Sequence, residues 1–124
     1  MPDILLVEDN EMNREMLTRR LVRRGFSVRV AVDGTSGLRM AREQFPALVI
    51  MDVTLPDVDG LDLTRQLKAD DLTRNIPIIV LTACAMVGDR ERAMAAGADD
   101  YDVKPVEIDR LVAKMRDQLA RRAS

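Results

Sequence analysis

Short apolar runs alternate along the chain with longer stretches in which apolar residues recur at helical spacing. The runs are typical of buried strands, and the stretches between them are typical of amphipathic helices. Strands are predicted at residues 4–7, 27–32, 48–51, 78–81 and 101–103. Helices are predicted at residues 11–24, 34–44, 61–69, 89–96 and from Ile108 to the end of the chain.

Strand and helix therefore alternate five times. Strands that are apolar throughout and are joined by helices favour a parallel sheet covered on both faces. Right-handed crossovers then predict a doubly wound α/β fold. A chain of 124 residues suits one compact domain, so we expect residues 1–124 to form a single domain.

Composition narrows the function classes. The net charge of −2 and the pI near 5.2 disfavour nucleic-acid binding through a basic field. The chain has no histidine, which excludes an internal imidazole base or a histidine-bound zinc site. Its one cysteine, Cys84, is expected to be a small filler. A disulfide within the chain is excluded, and with no leader-like or membrane-spanning run we expect a cytoplasmic protein.

Polar residues with candidate chemistry follow the predicted strands. Glu8 and Asp9 follow the first strand, Asp52 the third, Thr82 the fourth and Lys104 the fifth. The carboxyl ends of parallel strands face one crevice, which is where ligands bind in open α/β sheets. We therefore expect three carboxylates, a hydroxyl and an ammonium group to share one site.

Such a carboxylate cluster favours a cation, because like charges that lie close together repel one another. Oxygen ligands select a hard ion, and a site with few carboxylates suits Mg²⁺. The Thr54 backbone carbonyl could supply a further oxygen ligand. Lys104 and Thr82 could bind an anion. This set of groups is typical of phosphoryl transfer, where catalysis depends mostly on positioning and charge stabilisation.

Taken together, the strand-end motifs closely resemble the receiver domain of bacterial two-component response regulators, over essentially the whole chain. The motifs are Leu6–Asn10, Met51–Asp52 with Pro56 and Gly60, Thr82–Ala83, and Lys104–Pro105. The resemblance implies a flavodoxin-like fold with five helices and a five-stranded parallel sheet in the order 2-1-3-4-5. It also implies a cis peptide bond at Lys104–Pro105.

The resemblance implies a role for each residue of the site. Asp52 would be the phosphoacceptor, assisted by Thr82 and Lys104. The implied magnesium ligands are Glu8, Asp9, Asp52 and the backbone carbonyl of Thr54. The implied phosphoryl-binding residues are Thr54, Ala83 and Lys104, and the implied switch residues are Thr82 and Tyr101.

The same resemblance implies the partners. The phosphoryl donor would be a sensor histidine kinase or a histidine phosphotransfer protein, and the output would go to a downstream protein or onward along a relay. The protein would catalyse only its own phosphorylation and dephosphorylation, without a nucleic-acid or membrane partner. Nothing in the sequence indicates an output domain after the last helix. A stand-alone regulator, a receiver of a hybrid kinase and a homodimer all stay open.

Two other functions use the same residues. A phosphatase of the haloacid dehalogenase type also has an aspartate nucleophile, a lysine and magnesium, but its nucleophile follows the first strand. A binding module that is never phosphorylated is the second alternative, and the complete set of strand-end residues disfavours it. Asp57 and Asp59 flank the turn after Asp52 and are expected only to be solvated there.

Overall fold

A computed structural model gives the fold of residues 2–83 and 88–123, so Cys84 lies outside the described residues. The predicted elements are present, each with ends within one residue of the prediction. The strands are β1 (Asp3–Val7), β2 (Ser27–Ala31), β3 (Leu48–Asp52), β4 (Ile78–Thr82) and β5 (Asp100–Val103). The helices are α1 (Glu11–Arg23), α2 (Gly34–Gln44), α3 (Gly60–Ala69), α4 (Asp89–Ala95) and α5 (Ile108–Ala123).

The five strands form one parallel sheet in the order β2-β1-β3-β4-β5, which confirms the predicted order. Strand register sets the carboxyl ends level with one another. Val7 pairs with Met51, Asp52 pairs with Leu81, and Thr82 pairs with Val103. The residues that follow these strand ends therefore lie at one edge of the sheet.

Alternation along the central strands supplies two apolar cores, one on each face of the sheet. Leu5 and Val7 of β1 belong to the core that also contains apolar residues of α2, α3 and α4. Ile4 and Leu6 belong to the core that is shared with α1 and α5. Every residue of β3 is buried, as expected for a central strand covered on both sides. This double cover fixes the position of the residue that ends β3.

Polar residues account for the small differences in strand ends. Asp3 pairs with Ser27 and Asp100 pairs with Ile79, so β1 and β5 each begin one residue before the apolar run. Strand pairing depends on backbone hydrogen bonds, so a polar side chain does not mark the position where a strand begins. No helix of the described ranges 2–83 and 88–123 is both long and apolar enough to span a membrane.

The loop from β3 to α3 is fastened to α2 by Asp57, which corrects our expectation that this side chain is only solvated. Its carboxylate accepts hydrogen bonds from the Gly34 N–H (2.8 Å), the Thr35 N–H (2.9 Å) and the Thr35 hydroxyl (2.7 Å). These donors lie at the start of α2, where unpaired N–H groups favour a carboxylate. Asp59 likewise caps α3 by accepting from the Leu61 N–H.

Gly60 brings the start of α3 against the end of β3. A Cβ atom at this position would lie 2.1 Å from the Asp52 carbonyl oxygen. Only glycine permits this approach. The loop that carries Thr54 is thus held at both of its ends, by β3 and α3, and from the side by α2.

The Asp57 contacts generate a pH prediction. The Thr35 hydroxyl, followed by the N–H groups of Gly34 and Thr35, lowers the pKa of Asp57 from 3.8 to about 2. The stabilisation from this carboxylate is therefore complete above about pH 3.8 and is lost as the pH falls through about 2. At pH 3, ¹³C NMR should find roughly nine-tenths of Asp57 ionised. In a Thr35→Val variant, Asp57 should titrate at higher pH, because the hydroxyl hydrogen bond is removed. A titration midpoint near pH 3.8 for Asp57 in the parent protein would contradict the role of these hydrogen bonds.

Candidate functional site

Three carboxylates meet at the carboxyl edge of the sheet. Glu8 and Asp9 follow β1, and Asp52 is the last residue of β3. One oxygen from each lies within 4.8 Å of the others. Glu8 is 1 % exposed and Asp52 is 4 % exposed, whereas Asp9 lies open to solvent. The cluster predicted from the strand ends is therefore present, with two of its three carboxylates inside the protein.

Lys104 lies between the two buried carboxylates. Its ammonium nitrogen is 3.0 Å from Glu8 Oε1 and 3.1 Å from Asp52 Oδ1. The backbone N–H of Lys104 donates to the Thr82 carbonyl (2.8 Å), which ties this residue to the end of β4. The Lys104–Pro105 peptide bond is cis, as the family resemblance implies. The lysine is thus placed by the sheet and by the turn that follows β5.

Burial and charge act in opposite directions on this cluster. Burial, followed by the contact with Asp52, raises the pKa of Glu8 despite the nearby ammonium group. Burial alone would lower the pKa of Lys104, but its hydrogen bond to Glu8 and the charges of Asp52 and Glu8 outweigh burial and raise it. Lys104 is therefore held in its charged form by the carboxylates that it joins.

The donor set fits a hard divalent cation. Glu8 Oε2 is buried and has no hydrogen-bond partner among the described residues. Lys104 pairs with Glu8 and Asp52, and within the described part of the chain the third carboxylate, Asp9, forms no ion pair. Carboxylate oxygens at this spacing are ligands that Mg²⁺ prefers. Glu8, Asp9 and Asp52 would hold such an ion.

Thr54 lies beside the phosphoacceptor candidate. Its backbone N–H donates to Asp52 Oδ1 (3.1 Å), the same oxygen that Lys104 contacts. This bond orients the Asp52 carboxylate at the end of its strand. The role of the Thr54 carbonyl as a metal ligand stays a prediction.

The remaining predicted residues line a cavity next to the carboxylates. Thr54, Thr82, Ala83 and Tyr101 share a cavity of about 500 Å³ between the β3–α3 loop and α4. Ala83 also lines a second cavity, of about 530 Å³, together with Glu8 and Lys104. Ala83 therefore lies between the charged cluster and the cavity that Tyr101 lines.

Arg14 is a site residue that the sequence pattern does not indicate. Its guanidinium donates to the backbone carbonyls of Asp9 (2.7 Å) and Glu8 (3.2 Å). Asn10 caps α1 by accepting from the Asn13 N–H (3.0 Å). Both contacts fix the turn that presents the acidic pair. An arginine in the first turns of an amphipathic helix has no sequence signal that separates this role from simple solvation.

Comparison with known proteins places the chain among receivers. A family model described as the response regulator receiver domain matches residues 4–116. The polar-differentiation response regulator DivK of Brucella anthropi is 38% identical over 116 residues, which cover 94% of each chain.

Solved structures agree with this match. A putative response regulator from Chloroflexus aurantiacus superimposes with a TM-score of 0.92 at 34% identity, covering 96% of this chain and 98% of that one. The receiver domain of the sensor histidine kinase PA1611 from Pseudomonas aeruginosa superimposes with a TM-score of 0.89 at 37% identity, with the same coverage. That structure has a magnesium ion coordinated in its active-site cleft. The comparisons favour the receiver interpretation over the phosphatase and the inert binding module.

The position of Lys104 generates a stability prediction. A Lys104→Met variant leaves two buried carboxylates without their cation, so without Mg²⁺ its free energy of unfolding should fall by about 1–3 kcal/mol. Saturating Mg²⁺ should reduce the difference in unfolding free energy between the variant and the parent, because the ion supplies the missing positive charge. Urea unfolding in EDTA and in Mg²⁺ measures both effects.

Arg74→Met is the matched control, since Arg74 pairs with the highly exposed Asp71. It should change stability by no more than about 0.5 kcal/mol, with or without Mg²⁺. Equal effects of the two substitutions, or a difference that Mg²⁺ does not reduce, would contradict the bridging role of Lys104.

Proposed function

The chain belongs to the response regulator receiver domain family, and on that premise we propose that it is a phosphorylation-dependent switch with Asp52 as the phosphoacceptor. One observation carries this proposal. A buried carboxylate ends the central strand, with an ammonium group 3.1 Å away and two further carboxylates at its side. These are the groups that acceptance of a phosphoryl group onto oxygen requires.

In the proposed reaction, a carboxylate oxygen of Asp52 attacks the phosphorus of a phosphohistidine. A bond forms between that oxygen and phosphorus as the bond from phosphorus to the donor nitrogen breaks, and the imidazole leaves with the electron pair. Residues 1–124 contain no histidine, so the phosphohistidine lies outside this domain. Lys104 is positioned to pair with a phosphoryl oxygen, because its ammonium group already contacts Asp52.

Glu8, Asp9 and Asp52 would hold Mg²⁺, with the Thr54 carbonyl as a further ligand. When bound, the ion supplies positive charge that offsets the negative charge of the phosphoryl oxygens. The support for this assignment is the carboxylate cluster, the unpartnered Glu8 oxygen and the magnesium ion in the PA1611 receiver.

The phosphorylated protein would carry about two additional negative charges at the crevice. Thr54 and Ala83 would border the phosphoryl group, and the Thr82 hydroxyl would donate a hydrogen bond to it. A shift of Thr82 and Tyr101 toward the new charge would then change the surface formed by α4, β5 and α5. Phosphorylation would act by biasing an equilibrium between two conformations. The cavity that Thr82 and Tyr101 share supports this coupling.

We also propose where this domain acts and which proteins it contacts. Residues 1–124 form one receiver domain in the cytoplasm, the donor is a sensor histidine kinase or a histidine phosphotransfer protein, and the output is contact with a downstream protein. The protein acts on no external substrate beyond its donor. Homologous receivers occur both as a response regulator and as part of a sensor kinase, so either architecture is compatible with this role.

Acetyl phosphate tests the phosphoacceptor directly. In the presence of Mg²⁺, intact-mass measurement should show one phosphate adduct on the parent protein. EDTA should abolish the adduct, because three carboxylates and only the ammonium group of Lys104 then face the incoming anion. The change from Asp52 to asparagine should also abolish it, since the carboxylate nucleophile is gone.

The control variant is Asp59→Asn, which removes an exposed carboxylate that caps α3 in the same loop. It should still be phosphorylated. An adduct on Asp52→Asn equal to that on the parent would refute the assignment, and sustained hydrolysis of a phosphate ester would favour a phosphatase. If Mg²⁺ binds but the parent acquires no adduct, the inert binding module is the better interpretation.

A further inference from the structure

Lys114 of α5 holds Tyr101 by two contacts that no sequence motif indicates. Its ammonium group donates a hydrogen bond to the Tyr101 carbonyl oxygen (2.5 Å) and lies 5.2 Å from the centroid of the Tyr101 ring. A cation within about 6 Å of a ring centroid is attracted to the π-face. The Lys114 side chain is 26 % exposed, so the contact is largely shielded from water.

Carboxylates on the same strand keep the Lys114 ammonium at this position. Asp100 Oδ1 and Asp102 Oδ1 each lie 3.9 Å from Lys114 Nζ. The buried Asp102 carboxylate is bound more tightly by Arg110, whose Nε lies 2.7 Å from the same oxygen. Lys114 thus lies near both carboxylates without a close ion pair to either, while its ammonium group is also over the Tyr101 ring.

The Tyr101 ring also borders the space that leads to the phosphorylation site. It lines the cavity of about 500 Å³ that Thr82 and Ala83 also line. Strand register places Tyr101 beside Val80, two residues before Thr82. Lys114 does not line this cavity, so we expect a ring that moves within it toward Thr82 to lose the cation–ring contact.

We propose that Lys114 is a positioning residue that favours the present position of the Tyr101 ring and thereby opposes the phosphorylated arrangement until Asp52 is modified. The effect of Lys114 on the switch rests on the proposed function, whereas the contact between Lys114 and Tyr101 does not. Cation–ring contacts at partly exposed sites correspond to a bias of about two- to fivefold in a two-state equilibrium. Loss of Lys114 should therefore raise the population of the phosphorylated-like conformation by that factor before any phosphoryl group is added.

The Thr82 amide signal in ¹⁵N NMR measures this population, because Thr82 lies next to the site and on a different strand from the substituted contact. In unphosphorylated Lys114→Met, the signal should move along the line that joins the resting and phosphorylated signals of the parent. Lys114→Arg keeps the positive charge and should return the signal toward the parent position.

Lys68→Met is the matched control. Lys68 is also partly buried, donates to a backbone carbonyl (Ile76 O, 2.8 Å) and pairs with a carboxylate (Asp99, 2.7 Å), but it lies at the other end of the sheet. It should leave the Thr82 signal in place. The proposal would be overturned if the Thr82 signal of Lys114→Met coincided with that of the parent or moved off the line. It would also be overturned if Lys114→Arg or Lys68→Met moved the signal as far as Lys114→Met does.

A second measurement separates this inference from the proposed function. The chain has one tyrosine, so 3-fluorotyrosine labels Tyr101 alone. In unphosphorylated Lys114→Met, exchange between two ring positions should broaden the ¹⁹F signal relative to the parent and to Lys68→Met, and an unchanged width would overturn the inference. Failure of the proposed function would instead appear as a parent that does not respond to acetyl phosphate, with the Lys114 effect on the ring intact.

Discussion

The pairing of one lysine with two buried carboxylates is the constraint on which the rest of the site depends. Lys104 contacts Glu8 and Asp52 at 3.0 and 3.1 Å, although 96 positions of the chain separate it from Glu8. Burying three charged groups is costly unless each has a partner. The level strand ends of the parallel sheet make these partners available, because β1, β3 and β4 are neighbours and the Lys104 N–H binds the end of β4. The order of the strands in the sheet is therefore what brings the charged groups of the site together.

The same pairing links the site to the far side of β5. Lys104 follows β5 directly, and Tyr101 lies within it. Two lysines therefore hold this short strand. Lys104, at its end, contacts the carboxylates of the site, and Lys114 of α5 contacts the ring and the carbonyl oxygen of Tyr101. In the proposed switch, a phosphoryl group on Asp52 gives Lys104 a new anionic partner, and the response passes along a strand that α5 already holds. This arrangement explains how a local change of charge could reach the surface formed by α4, β5 and α5.

The sequence predicts the sheet and the carboxylate cluster, because both follow from patterns that burial imposes. Four apolar residues before Asp52 indicate a central strand, and parallel strands must bring their ends together. The roles of Ala83 and Tyr101 follow only from the family resemblance, since their side chains carry no distinctive pattern, whereas the position of Thr54 two residues after Asp52 already indicates a possible carbonyl ligand. The contacts of Asp57, Arg14 and Lys114 are not predictable in this way. Each joins a charged side chain to backbone groups outside its own helix or loop, and such residues look the same in sequence as solvated ones.

In the proposed switch, a phosphoryl group is attached to an oxygen of the Asp52 carboxylate. Borohydride reduces an acyl phosphate to an alcohol, so it converts a phosphorylated aspartate to homoserine while leaving free carboxylates intact. Peptide mapping of the phosphorylated and reduced protein should find homoserine at position 52, with Glu8 and Asp9 unchanged. Homoserine at another position, or its absence from position 52 in a protein that carries the phosphate adduct, would contradict the account.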